Sequence, residues 1–144
     1  MNSLVRAGAV ALACTLGSAA ALAETWSPSQ EPAFWSQARE KLEASGKLSQ
    51  GPWRFMEAMD SPTLKAGEYL SAPSRSPLGV EFDAALLMQR QGQAVWQVRE
   101  LRMRALCNQL RLQRISSQGQ WVDYVGRDDT ADKVRWICGL SKSD

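Results

Sequence analysis

The chain has 144 residues, with 17 Lys plus Arg against 15 Asp plus Glu, 44% hydrophobic residues, three Cys, six Trp and no His. The missing histidine removes the Ser/His/Asp triad, the Cys/His dyad and every His-ligated zinc or haem site. A formal charge of +2 is too small for nucleic-acid binding through bulk electrostatics, and the apolar content is that of a globular domain and not of a disordered chain.

Residues 1–23 join a basic start containing Arg6, an apolar run from Ala7 to Leu16 and the small-residue ending Ala21-Leu22-Ala23. These are the three regions of a secretory signal peptide, with cleavage expected before Glu24. A lipoprotein anchor at Cys14 fits less well, because the apolar run continues past that cysteine. A retained membrane helix also fits less well, because only small and moderately apolar residues fill the stretch and Glu24 ends it after about the minimum spanning length, so no integral span is expected in the mature protein. Cleavage of 23 residues leaves 121, residues 24–144, read as one domain with a formal charge of +1 because Arg6 is lost.

The mature chain keeps Cys107 and Cys138. In an oxidising compartment such a pair most simply forms one disulfide, closing a 32-residue loop and adding roughly 3 to 4 kcal/mol on the chain-entropy argument. The alternative, a redox-active dithiol, lacks the C-x-x-C spacing and any neighbouring His.

From Glu31 the pattern is amphipathic, with Trp35, Ala38 and Leu42 on one side and Arg39, Glu40, Lys41 and Glu43 on the other. Pro32 opens and Gly46 closes a helix over 32–45. Its apolar side either lies on the domain or docks on a partner. After Gly51-Pro52 the period changes to two: Trp53, Phe55, Glu57 and Met59 alternate with Arg54, Met56 and Ala58 as a strand. Ser61-Pro62 breaks it, and the stretch from Ala66 to Gly79, rich in Ser, Pro and Gly, reads as a connecting loop in which only Glu68-Tyr69-Leu70 is extended.

Val80, Phe82, Ala84, Leu86 and Met88 mark the clearest strand, ended by the turn Gln91-Gly92-Gln93. Beyond it Trp96 and Val98 have one parity and Leu101, Met103, Ala105 and Cys107 the other, which predicts a β-bulge near Arg99. A second change of phase follows at Cys107-Asn108. Leu110, Leu112 and Ile115, the turn Ser116–Gly119 and a strand from Trp121 to Val125 come next. Gly126 to Cys138 reads as a turn leading into a short helix or a last strand; if helical, Asp128 or Asp129 caps it and Val134, Ile137 and Cys138 face the body. The expected fold class is α+β: an antiparallel sheet of roughly four to six strands with a short N-terminal helix and a C-terminal element tied to the sheet by the disulfide. A helical bundle competes, because Leu101, Ala105 and Leu112 also stand at helical spacing.

The extended segment Leu101 to Leu112 through Cys107, the polar turn after it, the strand Trp121 to Tyr124 and the second Cys at Val134 to Cys138 resemble the surface-adhesin E family of small exported bacterial proteins. The resemblance covers roughly residues 80–140. It implies an antiparallel sheet, a C-terminal helix fastened by Cys107–Cys138, and a place in the periplasm, at the cell surface or outside the cell. The type member of that family binds host matrix and serum proteins.

Arg99, Arg102, Arg104, Arg111 and Arg114 cluster around the central strands, with Arg102 and Arg104 opposite Leu101, Met103 and Ala105. Guanidinium groups on one sheet face suit bidentate recognition of carboxylates, sulfates or phosphates; the plainer reading is a solvated face with carboxylate neighbours. Asp123, Asp128, Asp129 and Asp132 lack the spacing of a calcium loop, and capping accounts for them. Trp96, Trp121 and Trp136 lie in apolar strings and read as core. No catalytic constellation, cofactor fingerprint or metal site is visible. The expected function is that of a non-enzymatic exported binding protein, adhesin E-like, engaging a protein or an anionic polymer through Arg99, Arg102, Arg104 and Arg111. The alternative is a structural accessory of the envelope that docks through Trp35, Ala38 and Leu42.

Overall fold

The computed structural model describes residues 26–126 and 128–140; the expected signal peptide and Cys14 lie outside the described residues. In chain order the elements are α1 (Ala33–Ala44), β1 (Arg54–Asp60), β2 (Leu64–Ser76), β3 (Gly79–Arg90), β4 (Gln97–Leu106), β5 (Arg111–Ile115), β6 (Trp121–Asp123) and α2 (Thr130–Leu140). The strands form one antiparallel sheet in the order β1-β2-β3-β4-β5-β6, each beside its neighbour in sequence. Among the described residues no helix is long and apolar enough to cross a membrane.

The helices cover opposite faces of the sheet, so the chain has two cores. On one face Trp35, Leu42 and Leu48 pack with Phe55, Tyr69, Ala85 and Leu87. On the other, Val134 and Ile137 of α2 pack with Met56, Leu70, Val80, Phe82, Met103, Ala105 and Leu112. α1 ends as Gly46 predicts: Gly46 has φ 77°, its N–H donates to the Glu43 carbonyl and the Lys47 N–H donates to Leu42, a Schellman closure. Pro32 stands just before the helix, and its carbonyl accepts from the Trp35 and Ser36 amides.

α2 is a helix, and Val134 and Ile137 face the body. The Cys107–Cys138 disulfide, with Cα atoms 6.0 Å apart, joins it to the turn after β4. From the far end of β2, Arg75 donates to the Cys138 carbonyl at 3.2 Å, a cation at the negative end of the helix.

Two local expectations are corrected. Residues 64–76 are a long strand and not a loop, paired with β1 as far as Leu70 and with β3 from Leu64 to Ser71 and again from Ser74 to Ser76. The Pro-rich part is tolerated because the β3 pairing slips between Ser71 and Ser74, beyond the last β1 partner, where Pro73 needs no ladder N–H. There is also no bulge at Arg99: β3 and β4 pair without a shift from Met88–Gln97 to Gly79–Leu106. The change of parity reports which face is covered. Val98 lies against the α1 core, whereas Leu101, Met103 and Ala105 lie against the α2 core. The irregularity in β1 lies between Phe55 and Glu57: ordinary alternation sends Phe55 and Met56 into different cores, and the extra residue brings Glu57 opposite Glu68, on the same α2 face as Met56.

Candidate functional site

α1 covers only part of its face. Beyond it, alternate residues of β3 to β6 leave an open polar field, because Arg102 lies opposite Asp83, Arg104 opposite Glu81 and Gln113, and Gln113 opposite Asp123. The Arg102 Nη1 donates to Asp83 Oδ1 at 3.1 Å. The Arg104 Nε donates to Gln113 Oε1 at 2.7 Å, and its guanidinium lies 4.5 Å from the centre of the Trp121 ring. Arg111 bonds Asp123 and Gln109, and Gln113 donates to Asp123 at 3.1 Å. The amide of Gln113 and the guanidinium of Arg111 hold the Asp123 carboxyl below the usual carboxylate range.

The four arginines expected to act together are therefore divided. Arg102, Arg104 and Arg111 share the open field, while Arg99 pairs with Leu86 in register and lies on the opposite face. Within the field only Arg104 keeps both terminal nitrogens out of any hydrogen bond among the described residues. Its ring partner and its Nε bond hold the fork in place without occupying it, which suits bidentate recognition of an anion.

Trp35, Ala38 and Leu42, expected as a partner-docking stripe, are 5%, 7% and 4% exposed beneath α1 and face the chain's own sheet. Phe34, on the same helix, is 43% exposed, with the Lys65 ammonium 4.3 Å from its ring centre. The helix is held down by an ionic network: Arg39 bridges Glu31 and Glu43 at 3.0 Å each, and the Tyr69 hydroxyl donates to Glu31 at 2.8 Å. Burial first, and then the Glu31 carboxylate, push the Tyr69 hydroxyl far above its ordinary value.

Of the three tryptophans expected in the core, Trp96 and Trp136 pack against the two cores and Trp121 does not. Trp35 is the buried one, whereas Trp96 and Trp136 are half-buried at the edges of the cores and Trp121 lies on the polar field. Trp136 meets Trp26 edge-on at 5.9 Å.

Sequence reading missed a second arrangement, on the α2 face. Lys133 is buried, and its ammonium binds Glu57, Glu68 at 3.2 Å and Asp129 at 3.8 Å, with the Trp26 ring 5.7 Å away. Burial opposes the charge, but Glu57 and Glu68 together outweigh it and the pKa of Lys133 is raised. Beside this cluster lies an apolar groove of about 340 Å³, floored by strand residues such as Met59, Leu86, Met88 and Leu101 and rimmed by Arg99, Tyr124 and Val125. The alternation in β3 and β4 pointed to these apolar residues, but nothing in the sequence tells which of them α2 leaves uncovered. Among the described residues no group of three or more Cys, Asp or Glu is placed to hold a metal ion. Asp132 pairs with Arg135 at 2.6 Å, and Asp129 faces Lys133.

No family model, no curated protein and no solved structure matches this chain.

Proposed function

We propose that the chain is an exported, non-enzymatic binding protein of the bacterial envelope or surface, adhesin E-like in kind, that engages a protein or an acidic polymer through the open field around Arg104. The observation that carries the reading is the unoccupied guanidinium fork of Arg104, stacked on Trp121 and flanked by Arg102 two residues earlier on the same strand and by Arg111 on the neighbouring one. A rigid platform with one free cationic fork and hydrogen-bonding neighbours suits recognition better than catalysis. The flanking arginines are already paired with Asp83 and Asp123, so the field selects by geometry more than by net charge.

The test is retention on a sulfated polymer such as heparin, together with capture from native envelope extract, each at low and high salt. Binding should weaken with salt, because surface charges are screened over about 8 Å at physiological ionic strength. Arg104→Ala should weaken it about tenfold, the loss expected for a charge-assisted bond of about 1.5 kcal/mol, and Trp121→Ala should weaken it by releasing the stacked side chain. Retention unchanged in both variants would sink the assignment. An accessory role for α1 would have to use Phe34, and Phe34→Ala in the same capture experiment reads that arm.

A further inference from the structure

We infer that the groove on the α2 face is a site for a single-chain amphiphile with a carboxylate head, the head held by Arg99 and the tail laid along Leu86, Met88, Leu101 and Met59. This inference does not rest on the reading of the Arg104 field, which lies on the opposite face of the sheet.

The size comes first. At about 340 Å³ the groove is at the lower end of the roughly 300 to 1,000 Å³ of small-molecule sites, so it suits a ligand and not a protein domain. It is also built into the fold. Its deeper lining includes Phe82, Met103, Leu112 and Ile137, which are buried core residues, and its outer lining includes Tyr124 and Val125, of which Val125 is 94% exposed. Methionines at Met56, Met59, Met88 and Met103 supply unbranched, adaptable surface that fits a flexible chain better than a rigid one.

The charges choose the head group. Glu68, at the α2 side of the groove, is engaged by the Lys133 ammonium at 3.2 Å. Arg99 is exposed, lies one strand from Leu86 in register, and makes no hydrogen bond or ion pair among the described residues. An apolar trough with one unpartnered guanidinium on its rim among the described residues is complementary to an anionic head on an apolar tail. The planar fork of arginine fits a carboxylate bidentately. Among the described residues that line the trough the one carboxylate, Glu68, is already held by Lys133, which leaves a cationic head no free carboxylate there.

Calorimetric titration of the protein with dodecanoate, kept below its micelle-forming concentration, tests the site. One-to-one binding is expected, at least tenfold weaker in Arg99→Gln and unchanged in Arg102→Gln, which alters only the opposite face. Leu86→Asp, on the half-exposed floor, should weaken it too, with circular dichroism confirming that the variant folds. The inference fails if dodecanoate gives no binding, if Arg99→Gln binds as the parent does, or if dodecyltrimethylammonium binds equally well. It also fails if the protein binds only anionic phospholipid vesicles, or if sedimentation shows the groove closed by a second copy that dodecanoate does not displace.

Discussion

A single hydrogen atom decides how α1 sits. Gly67 lies in β2 beneath Trp35, and a Cβ there would stand 2.7 Å from two ring carbons. The ring cannot turn away easily, since it also meets Phe34 at 5.3 Å and Trp96 at 5.8 Å, edge-on in both cases. Gly67→Ala should therefore lower stability by about 1 to 3 kcal/mol, the usual cost of overpacking a filled core. Urea unfolding measures it, and the cost should shrink in a Trp35→Phe background because the two changes share one contact. Lys133 is the other residue on which much depends. Lys133→Met removes the buried cation that Glu57, Glu68 and Asp129 share, and should cost about 2 to 3 kcal/mol. That is below the ~3 to 5 kcal/mol of a fully dry pair, because the Glu57 and Glu68 side chains keep 20% and 31% of their surface exposed. Since the folded chain raises the ammonium above its ordinary 10.5, the contribution is complete below that pH and is lost as pH rises through the folded value. Stability measured from pH 9 to 12 should fall more steeply in the parent than in Lys133→Met.

At the scale of elements, legibility depended on whether local chemistry and burial agreed. α1 was readable because an apolar stripe, Pro32 and Gly46 all say helix, and β3 was readable because five alternating apolar residues share one face of the sheet. β2 was hidden: its residues Ala66, Gly67 and Ser71 to Ser76 have little strand preference, and their place in the sheet comes from β1 and β3 on either side. The arginine positions were legible as a cluster, but their division between faces was not. It follows from the register of β4, and the apparent change of phase there concealed the fact that two helices cover two faces. The cysteine pair was legible from its count alone. Its energetic role belongs to α2, an 11-residue helix too short to be stable by itself. Cys107→Ser/Cys138→Ser should lose about 2 to 5 kcal/mol in urea unfolding. Hydrogen exchange should show protection lost first in α2, with β2 and β3 little changed; uniform loss across the sheet would contradict this division of labour.

For the whole molecule, the two faces present two different chemistries, a polar field on the α1 side and an apolar groove on the α2 side. Neither uses the other's residues, so an Arg104 variant and an Arg99 variant report separately. The sheet between them is a simple meander, in which every strand lies beside the strand made just before it. That order bears on how the chain reaches its fold. Each hairpin can close over a short loop at small entropic cost, so the sheet can grow by successive local steps without waiting for distant segments to meet. The bond from Cys107 to Cys138 joins the last helix to a sheet that does not need it for its own assembly. Its value is then kinetic: a chain without it should refold at nearly the parent's rate and unfold faster, so the disulfide prolongs the life of the folded state.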